Sequence, residues 1–379
     1  MRISDVKAFP TSFPVPPGES VTLGIGRTVK RDAVVVKVTT DDGLVGWGES
    51  HHGRAPGAVA HLANTTLRQL VLGMDAADVV GVWGRVYKMQ LGSHGMGAAT
   101  AMAMSGIDMA LWDIRGKATG WPLYRLLGGA ARPIPAYAGG VSLGWQEPGA
   151  LVEEARALVA VGYKAVKLRI GDAPARDLAR VSAVRKALGA DLVILVDANT
   201  GYTVEDARKA MPGLDANGVG WLEEPFPAHD TRSYALARTF GRVPLAAGEN
   251  HYTRFEFVRL IEDGSITVLQ PDLSKTGGIT EALRVAALAS AWKLPINPHT
   301  SMTGLNVAAT IHFLAAIDNG GYFEGDVSKN NRFRDELVSR PYEVGPDGCV
   351  RPLEKPGLGL EVDEEFLARH PVIEGPSYV

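Results

Sequence analysis

The segment from residue 164 to residue 250 decides the fold, because it repeats one pattern: KAVKLRIG (164–171), LVILVDAN (192–199), GWLEEP (220–225) and PLAAGEN (244–250). Each is a short apolar run that ends in charged or polar residues, and stretches of helical period separate the runs. Similar runs occur at Pro135–Gly139, Thr267–Asp272, Leu294–His299 and Tyr322–Glu324. Parallel strands need helical crossovers, so this alternation predicts a modified (β/α)7β barrel of the α/β class.

The chain before the barrel has a different pattern. Alternating segments at Arg2–Phe9, Ala33–Thr39 and Leu44–Glu49 predict strands, with Asp41-Asp42-Gly43 as a hairpin turn. The later stretch GIDMALWDIRGK (106–117) has Ile107, Ala110, Leu111 and Ile114 at helical spacing, which predicts a buried stripe. We therefore expect an N-terminal α+β capping domain over residues 1–130, the catalytic barrel over 131–340, and a tail, 341–379, that packs back on the capping domain.

Composition excludes several classes of protein. The 379 residues include 39 Lys and Arg against 42 Asp and Glu, which argues against a nucleic-acid-binding protein. No 18-residue apolar run is present, so no membrane span is expected. Cys349 is the only cysteine, which excludes an intrachain disulfide and a thiolate metal cluster. A cytoplasmic enzyme acting on a small molecule is the expectation.

Three acidic residues follow successive strand runs at a constant interval. Asp197, Glu223 and Glu249 are each separated by 26 residues, one strand–helix unit. Because the strands of a barrel are parallel, these carboxylates are expected to meet at its C-terminal mouth. Hard oxygen ligands in a small concave site are typical of Mg²⁺, although a single carboxylate would more often be a helix cap or a surface charge.

The next two runs end differently, with LQPD placing Asp272 and INPH placing His299 at the mouth. A carboxylate beside an imidazole orients the ring and raises its basicity, so the pair is interpreted as a general base. Lys167 and Arg169 share one face of the second strand, since side chains alternate with period two. They are candidates for binding a substrate carboxylate or, for Lys167, for proton transfer, and Glu324 on the eighth strand completes the ionisable ring.

These motifs together resemble the enolase superfamily, in particular its mandelate racemase-like branch of acid-sugar dehydratase type. The resemblance spans nearly the whole chain, with GLVGWGE (43–49) and GIDMALWDIRGK in the capping domain and KLR, VDAN, EEP, GEN, QPD, TGGIT and PH in the barrel. It implies that Asp197, Glu223 and Glu249 bind Mg²⁺, that Asp272–His299 is the base, and that Glu324 hydrogen-bonds a substrate carboxylate oxygen. It also implies a homo-oligomer, from a dimer to an octamer.

The second strand departs from the family pattern. Members with a base on both faces carry Lys-x-Lys there, whereas this chain has Lys167-Leu168-Arg169. Arginine stays protonated and is a poor base, which favours a single-base enzyme over a racemase. The leading interpretation is a Mg²⁺-dependent dehydratase of an aldonate or aldarate that acts through an ene-diolate and forms a 2-keto-3-deoxy acid. The alternatives are a racemase, an epimerase or a sugar-acid lactone cycloisomerase, and more remotely a non-catalytic metal-binding protein.

Substrate contacts are expected from the loops near residues 15–30 and 49–57, where the family has its specificity loops. His51, His52 and Arg54 suit a polyhydroxylated or anionic substrate, although exposed loop residues without a function would look the same. Asn199, in VDAN, and Lys275, in the loop after Asp272, are further candidates for substrate binding.

Overall fold

The computed structural model of the protein describes residues 1–300 and 302–379. Its N-terminal part contains an antiparallel sheet in the order β1-β4-β5 and a small separate hairpin, β2–β3. The strands are β1 (Ile3–Pro14), β2 (Thr22–Leu23), β3 (Gly26–Arg27), β4 (Lys30–Thr40) and β5 (Val45–Ser50). The expected turn at Asp41–Gly43 joins β4 to β5, and Gly43 adopts φ 88°, a left-handed conformation that glycine reaches without steric cost.

Helices follow this sheet and cover one of its faces. They are α1 (Pro56–Leu62), α2 (Arg68–Val71), α3 (Val79–Val86), α4 (Gly97–Thr119) and α5 (Leu123–Leu126), with a short 3₁₀ turn at Pro17–Glu19 and π-helical turns at Ala63–Leu67 and Tyr87–Leu91.

Helix α4 is buried on every side, rather than along the single stripe that the sequence predicted. Its residues from Thr100 to Ile114 are all buried, because β5 packs on one face and the barrel packs on another. The close contact with β5 explains two glycines of the GLVGWGE motif. A Cβ atom added at Gly46 would lie 2.0 Å from the carbonyl oxygen of Ala110, and one at Gly48 would lie 2.2 Å from that of Gly106.

The barrel is confirmed, with eight strand positions and seven intervening helices in the described residues. Its strands are β6 (Ile134–Gly139), β7 (Ala165–Arg169), β8 (Val193–Asp197), β9 (Val219–Glu223), β10 (Leu245–Ala247), β11 (Val268–Leu269) and β12 (Phe323–Asp326). Isolated parallel bridges join Ile296 to Leu269 and to Gly320, and so supply the seventh strand position. The helices are α6 (Pro148–Val161), α7 (Pro174–Leu188), α8 (Val204–Ala216), α9 (Thr231–Ala237), α10 (Thr253–Asp263), α11 (Ile279–Ala291) and α12 (Gly304–Leu314). Thr203 and Asp206 form a capping box at the start of α8.

Three strands end earlier than the sequence runs suggested. Strand β10 stops at Ala247 and β11 at Leu269, and the run at 294–299 contributes only the bridges of Ile296. Proline lacks an N–H group for a sheet ladder, and Pro271, Pro295 and Pro298 lie in these runs. Consequently Glu249, Asp272 and His299 lie in loops beyond the strands. Strand β12, in contrast, continues past Glu324 to Asp326.

The segment after the barrel contacts both parts of the molecule. Strand β13 (Cys349–Val350) pairs with β6 of the barrel, while Pro371 bridges to Thr11 of β1 and Tyr378 bridges to Thr28. Two short helices, α13 (Arg332–Asp335) and α14 (Glu364–Arg369), complete the described elements.

The limits of the domains predicted from the sequence stay a prediction. In the described residues, no helix is both long and apolar enough to span a membrane.

The contact between α4 and β5 can be tested at Gly46. We expect Gly46→Ala to lower the free energy of unfolding by about 1–3 kcal/mol or more, because its Cβ would overlap the backbone of α4. The matched control is Gly84→Ala within α3, where an added Cβ meets no atom within 4 Å. That control is expected to leave stability unchanged or raise it by up to about 1 kcal/mol, by helix propensity. Urea unfolding measures both, and equal effects of the two variants would contradict this packing.

Candidate active site

A cavity of ≈ 200 Å³ lies at the C-terminal mouth of the barrel, between the barrel loops, the capping domain and the last residues of the chain. The capping domain contributes Leu23, Ile25, His51, His52 and Arg54 to its wall. The barrel contributes Gly140, Val141, Arg169, Asn199, Thr200, Glu224, Glu249, Asn250, Lys275, His299 and Met302, and the C-terminal segment contributes Tyr378. Most of the residues predicted for the site therefore meet in one place.

Strand register places the first charged residues side by side. Arg169, Asp197 and Glu223 are direct neighbours on β7, β8 and β9. Since side chains alternate along each strand, Leu195 and Trp221, two residues earlier, point to the same interior and form the apolar layer beneath them.

Lys167 lies under this row and is fully buried. Its Nζ atom is 2.6 Å from Glu223 Oε1, 3.0 Å from Glu324 Oε1 and 3.6 Å from Asp197 Oδ2. Burial alone would lower the pKa of Lys167, but the charges of Glu223 and Glu324 outweigh it and raise the pKa above its usual value. Lys167 is therefore an ammonium ion held among carboxylates.

Arg169 and Glu223 have further partners. The Arg169 guanidinium pairs with Asp197 and donates to the carbonyl of Gly140. Glu223 Oε2 accepts hydrogen bonds from Trp221 Nε1 at 3.2 Å and from Gln270 Nε2 at 2.7 Å. Burial, only partly offset by Lys167, raises the pKa of Glu223 to about 7.

Glu249, in the loop after the next strand, has its own cation. Lys275 Nζ is 3.2 Å from its Oε1 atom, and Nε2 of His299 is 3.1 Å from its Oε2 atom. Asn250 Nδ2 also donates to Glu249 Oε1, at 3.3 Å. Lys275, predicted to lie in a loop, is thus a buried residue whose charge is neutralised in place.

The pair of Asp272 and His299 has the geometry of an oriented imidazole. His299 Nδ1 is 2.7 Å from Asp272 Oδ2, and Asp272 Oδ1 accepts from Ser274 and from Asn306 Nδ2 at 3.0 Å. Burial alone would lower the pKa of His299, but the charge of Glu249 and the hydrogen bond to Asp272 raise it. Nδ1 therefore donates to Asp272, and Nε2, which contacts Glu249 Oε2, is the nitrogen left to exchange a proton.

Glu324, which the sequence predicted to contact a substrate carboxylate, lies below the wall of the cavity. Its side chain is fully buried, is outside the cavity wall, and accepts from the backbone N–H of Gly140 at 3.0 Å and of Thr300 at 3.3 Å. In this structure Glu324 reaches the site through Lys167.

The two histidines of the capping loop line the cavity as neutral rings. Their centroids are 4.2 Å apart, and their Nδ1 atoms accept from the backbone N–H of Gly53 and Arg54. Burial is the main reason why the pKa of His51 lies well below its usual value and that of His52 falls to about 4. With Nδ1 as acceptor, Nε2 carries the proton, so these rings suit hydroxyl groups rather than anions.

Asn199 lines the cavity and donates from Nδ2 to Asp197 Oδ2 at 3.1 Å. Several residues at the site were not predicted, among them the polar side chains of Glu224, Asn250, Gln270 and Tyr378. The sequence could have indicated the first three. Glu224 and Asn250 are adjacent to the predicted residues Glu223 and Glu249, and Gln270 precedes Asp272 by two positions, which places both on one face of an extended chain. No signal in the sequence indicated Tyr378.

The donor set fits a divalent cation. The site gathers six carboxylates, Asp197, Glu223, Glu224, Glu249, Asp272 and Glu324, against four permanent cations, Lys167, Arg169, Lys275 and Arg54. Carboxylate oxygens are the ligands that Mg²⁺ prefers, and a dication would offset the excess negative charge. Among the described residues, no three acidic or histidine side chains already stand around one point as a coordination sphere, and Lys167 lies between the acids instead.

Comparison with known proteins agrees with this arrangement. Residues 10–128 match the mandelate racemase / muconate lactonizing enzyme N-terminal domain family, and residues 150–366 match the enolase C-terminal domain-like family. The chain belongs to the mandelate racemase branch of the enolase superfamily, as its motifs indicated.

Named relatives in this family are enzymes that act on acid sugars. The chain is 33% identical to an arabinonate dehydratase of Saccharolobus solfataricus, over 87% of this chain and 88% of the relative. It is also 33% identical to a D-galactarolactone cycloisomerase of Agrobacterium fabrum, over 93% of each chain. The chain is accordingly an enzyme whose named relatives include both a dehydratase and a cycloisomerase.

Solved structures are similar over the full length. A member of the enolase superfamily from Polaromonas sp. JS666 has 55% identity, a TM-score of 0.98 and 100% coverage of both chains. A racemase from Streptomyces coelicolor A3(2), solved with bound magnesium, has 30% identity and a TM-score of 0.89, and the match covers 98% of this chain and 100% of that one.

The role of Asp272 in setting the basicity of His299 can be measured directly. We expect Asp272→Asn to lower the pKa of His299, because the charged acceptor of its Nδ1–H is lost while Glu249 remains. NMR titration of the ring protons in EDTA measures this pKa. The exposed Asp263→Asn serves as the control, and an unchanged His299 pKa in Asp272→Asn would contradict the coupling.

Proposed function

We propose that this enzyme is a Mg²⁺-dependent dehydratase of an acid sugar, an aldonate or an aldarate, that forms a 2-keto-3-deoxy acid. The observation that carries the proposal is the buried Asp272–His299 pair, whose Nε2 nitrogen is at the cavity beside the cluster of carboxylates. A proton α to a carboxylate is a weak acid, so its removal needs both a positioned base and stabilisation of the resulting anion.

Asp197, Glu223 and Glu249 are proposed as the ligands of Mg²⁺. The ion would act as a Lewis acid on the substrate carboxylate and stabilise the negative charge that forms there. Support comes from the oxygen donor set, from the surplus of carboxylates over cations, and from the relative solved with magnesium.

His299 is the proposed base. In its neutral form, Nε2 accepts the proton from C2 of the substrate, while Asp272 holds the ring and stabilises the imidazolium that results. The protonated ring is then placed to assist departure of the hydroxyl group at C3, and the enol product tautomerises to the keto acid.

In the part of the chain that the structure describes, we infer that neither cation of strand β7 is free to act as a second base. Arg169 pairs with Asp197 and keeps its charge, so we propose that it clamps a substrate oxygen. Lys167 is held as an ammonium ion by Glu223 and Glu324, and we propose that it spreads negative charge rather than accepts a proton. Glu324 is proposed to position Lys167.

Cycloisomerisation is the second candidate, since named relatives include cycloisomerases as well as dehydratases. The two reactions begin with similar proton chemistry but differ in mass balance. We would screen a library of acid sugars and their lactones with the protein in Mg²⁺ and in EDTA. Products that have lost one water molecule support dehydration, products of unchanged mass support isomerisation, and turnover of no compound would refute both. The cytoplasmic location and the oligomeric state stay predictions.

Replacement of His299 tests the base. We expect His299→Asn to reduce turnover by about 10²-fold or more, because no other group at the cavity takes its place, while Mg²⁺ affinity stays within about threefold. Rates of product formation and of exchange of the C2 proton in D₂O measure this effect. The exposed His94→Asn is the control, and near-normal exchange in His299→Asn would move the base to another residue.

Replacement of Glu223 tests the metal ligands. Glu223→Gln keeps the size of the side chain but removes one anionic ligand, so Mg²⁺ affinity is expected to fall by about tenfold or more. Isothermal titration calorimetry with MgCl₂ measures the change, with the exposed Glu205→Gln as a control. Unchanged affinity in a folded Glu223→Gln protein would refute the assignment.

A further inference from the structure

The segment Ser377–Val379 forms part of the active-site wall. Its backbone pairs with the β2–β3 hairpin region: Val379 exchanges hydrogen bonds with Arg27 at 2.7 and 2.9 Å, and the N–H of Val29 donates to Ser377 at 3.0 Å. The Ser377 hydroxyl also donates to the buried Asp32 at 2.5 Å. These contacts hold residue 378 at a fixed position beside the cavity.

The hairpin itself lies directly on the barrel mouth. A Cβ atom added at Gly24 would be 2.6 Å from the carbonyl oxygen of Ala198, next to Asp197, and Leu23 and Ile25 line the cavity. Tyr378 is thereby placed in the cavity wall beside the hairpin. Within the described residues, its hydroxyl has no hydrogen-bond partner and is available to a ligand.

Arg54 stands beside Tyr378, with its guanidinium carbon 5.2 Å from the centroid of the tyrosine ring. It lines the same cavity and forms no ion pair with any carboxylate in the part of the chain that the structure describes. Its backbone has φ 59°, a left-handed conformation that costs energy in a residue with a Cβ, and its N–H is fixed by His52 Nδ1. Strain of this kind is often found where a side chain is held for binding.

The charge of the cavity wall is divided between its two sides. The barrel side holds every carboxylate of the wall, Glu224 and Glu249, whereas the capping side and the segment 377–379 contribute none. The nearby Asp32 is already satisfied by Lys30 at 3.0 Å and by the Ser12 and Ser377 hydroxyls. A substrate held by its C1 carboxylate at the barrel would therefore present its other end to an unpaired guanidinium and a free phenol.

We propose that Arg54 and Tyr378 bind a second carboxylate at the far end of the substrate, so that the enzyme prefers aldarates to the corresponding aldonates. This inference rests on the proposed function, which places the reacting end of the substrate at the barrel side of the cavity. A guanidinium and a phenol O–H are both donors to a carboxylate, whereas the terminal CH₂OH of an aldonate carries no charge to pair with Arg54. Both residues are specificity determinants in this proposal, and neither takes part in proton transfer.

Binding can be separated from turnover in the His299→Asn background with Mg²⁺ present. Calorimetry would compare three hexarates, galactarate, glucarate and mannarate, with galactonate, gluconate and mannonate. We expect at least one hexarate to bind about tenfold more tightly than its hexonate. Arg54→Gln should remove that preference by weakening hexarate binding alone, and Tyr378→Phe should weaken it by about threefold or more. Arg125→Gln, which removes an exposed arginine stacked on Trp121, is the matched control.

Steady-state kinetics on the protein with His299 intact provide the second measurement. Arg54→Gln should raise KM for the hexarate about tenfold with kcat little changed, since the far carboxylate is bound equally in the ground and transition states. If acid sugars are turned over but Arg54→Gln alters hexarates and hexonates alike, this inference is wrong and the proposed function stands. If hexarates bind in a manner that depends on Arg54 and none is turned over, the inference stands and the proposed function fails. Failure of every hexarate to bind better than its hexonate overturns the inference.

Discussion

The accumulation of carboxylates at one end of the barrel is the constraint on which the rest of the structure depends. Asp197 and Glu223 are adjacent in strand register and nearly inaccessible to solvent. Such a concentration of negative charge is unfavourable in a protein interior unless cations compensate it. Lys167 and Arg169, placed on the neighbouring strand at alternate positions, supply that compensation within the chain.

The surrounding structure holds these charges in place from below and from above. Beneath them, Trp221 and the other apolar side chains of the barrel interior exclude water. Above them, the capping domain closes the mouth, and it is fixed to the barrel through helix α4, which is buried from Thr100 to Ile114. Trp112 of α4 donates to Thr280 at 2.9 Å, and Asp108 accepts from the backbone N–H of the same residue. The glycines that allow β5 to approach α4 therefore contribute indirectly to the shape of the active site.

The barrel side and the capping side of the cavity differ in the residues that they contribute. The barrel side carries the proposed base and metal ligands, which the parallel strands and the loops after them position. The capping side carries neutral histidines, an arginine and a tyrosine that suit recognition of a long polar substrate. This division allows one arrangement of base and carboxylates to serve different acid sugars, since relatives with similar folds are named for different substrates and reactions.

The sequence by itself determined the barrel, the capping domain and the grouping of two acidic residues proposed as metal ligands, because period-two alternation and a constant strand–helix interval bring Asp197 and Glu223 to one edge. The sequence also shows the departure from the family's Lys-x-Lys pattern, because arginine stands at position 169 in place of the second lysine. Only the tertiary structure decided that β10 and β11 end before Glu249 and Asp272, where proline and glycine interrupt the ladders. It likewise placed Glu324 under Lys167, out of the cavity wall. Tyr378 shows the limit most clearly: it reaches the site through pairing between residues 377–379 and 27–29, a contact across the length of the chain that no local pattern records.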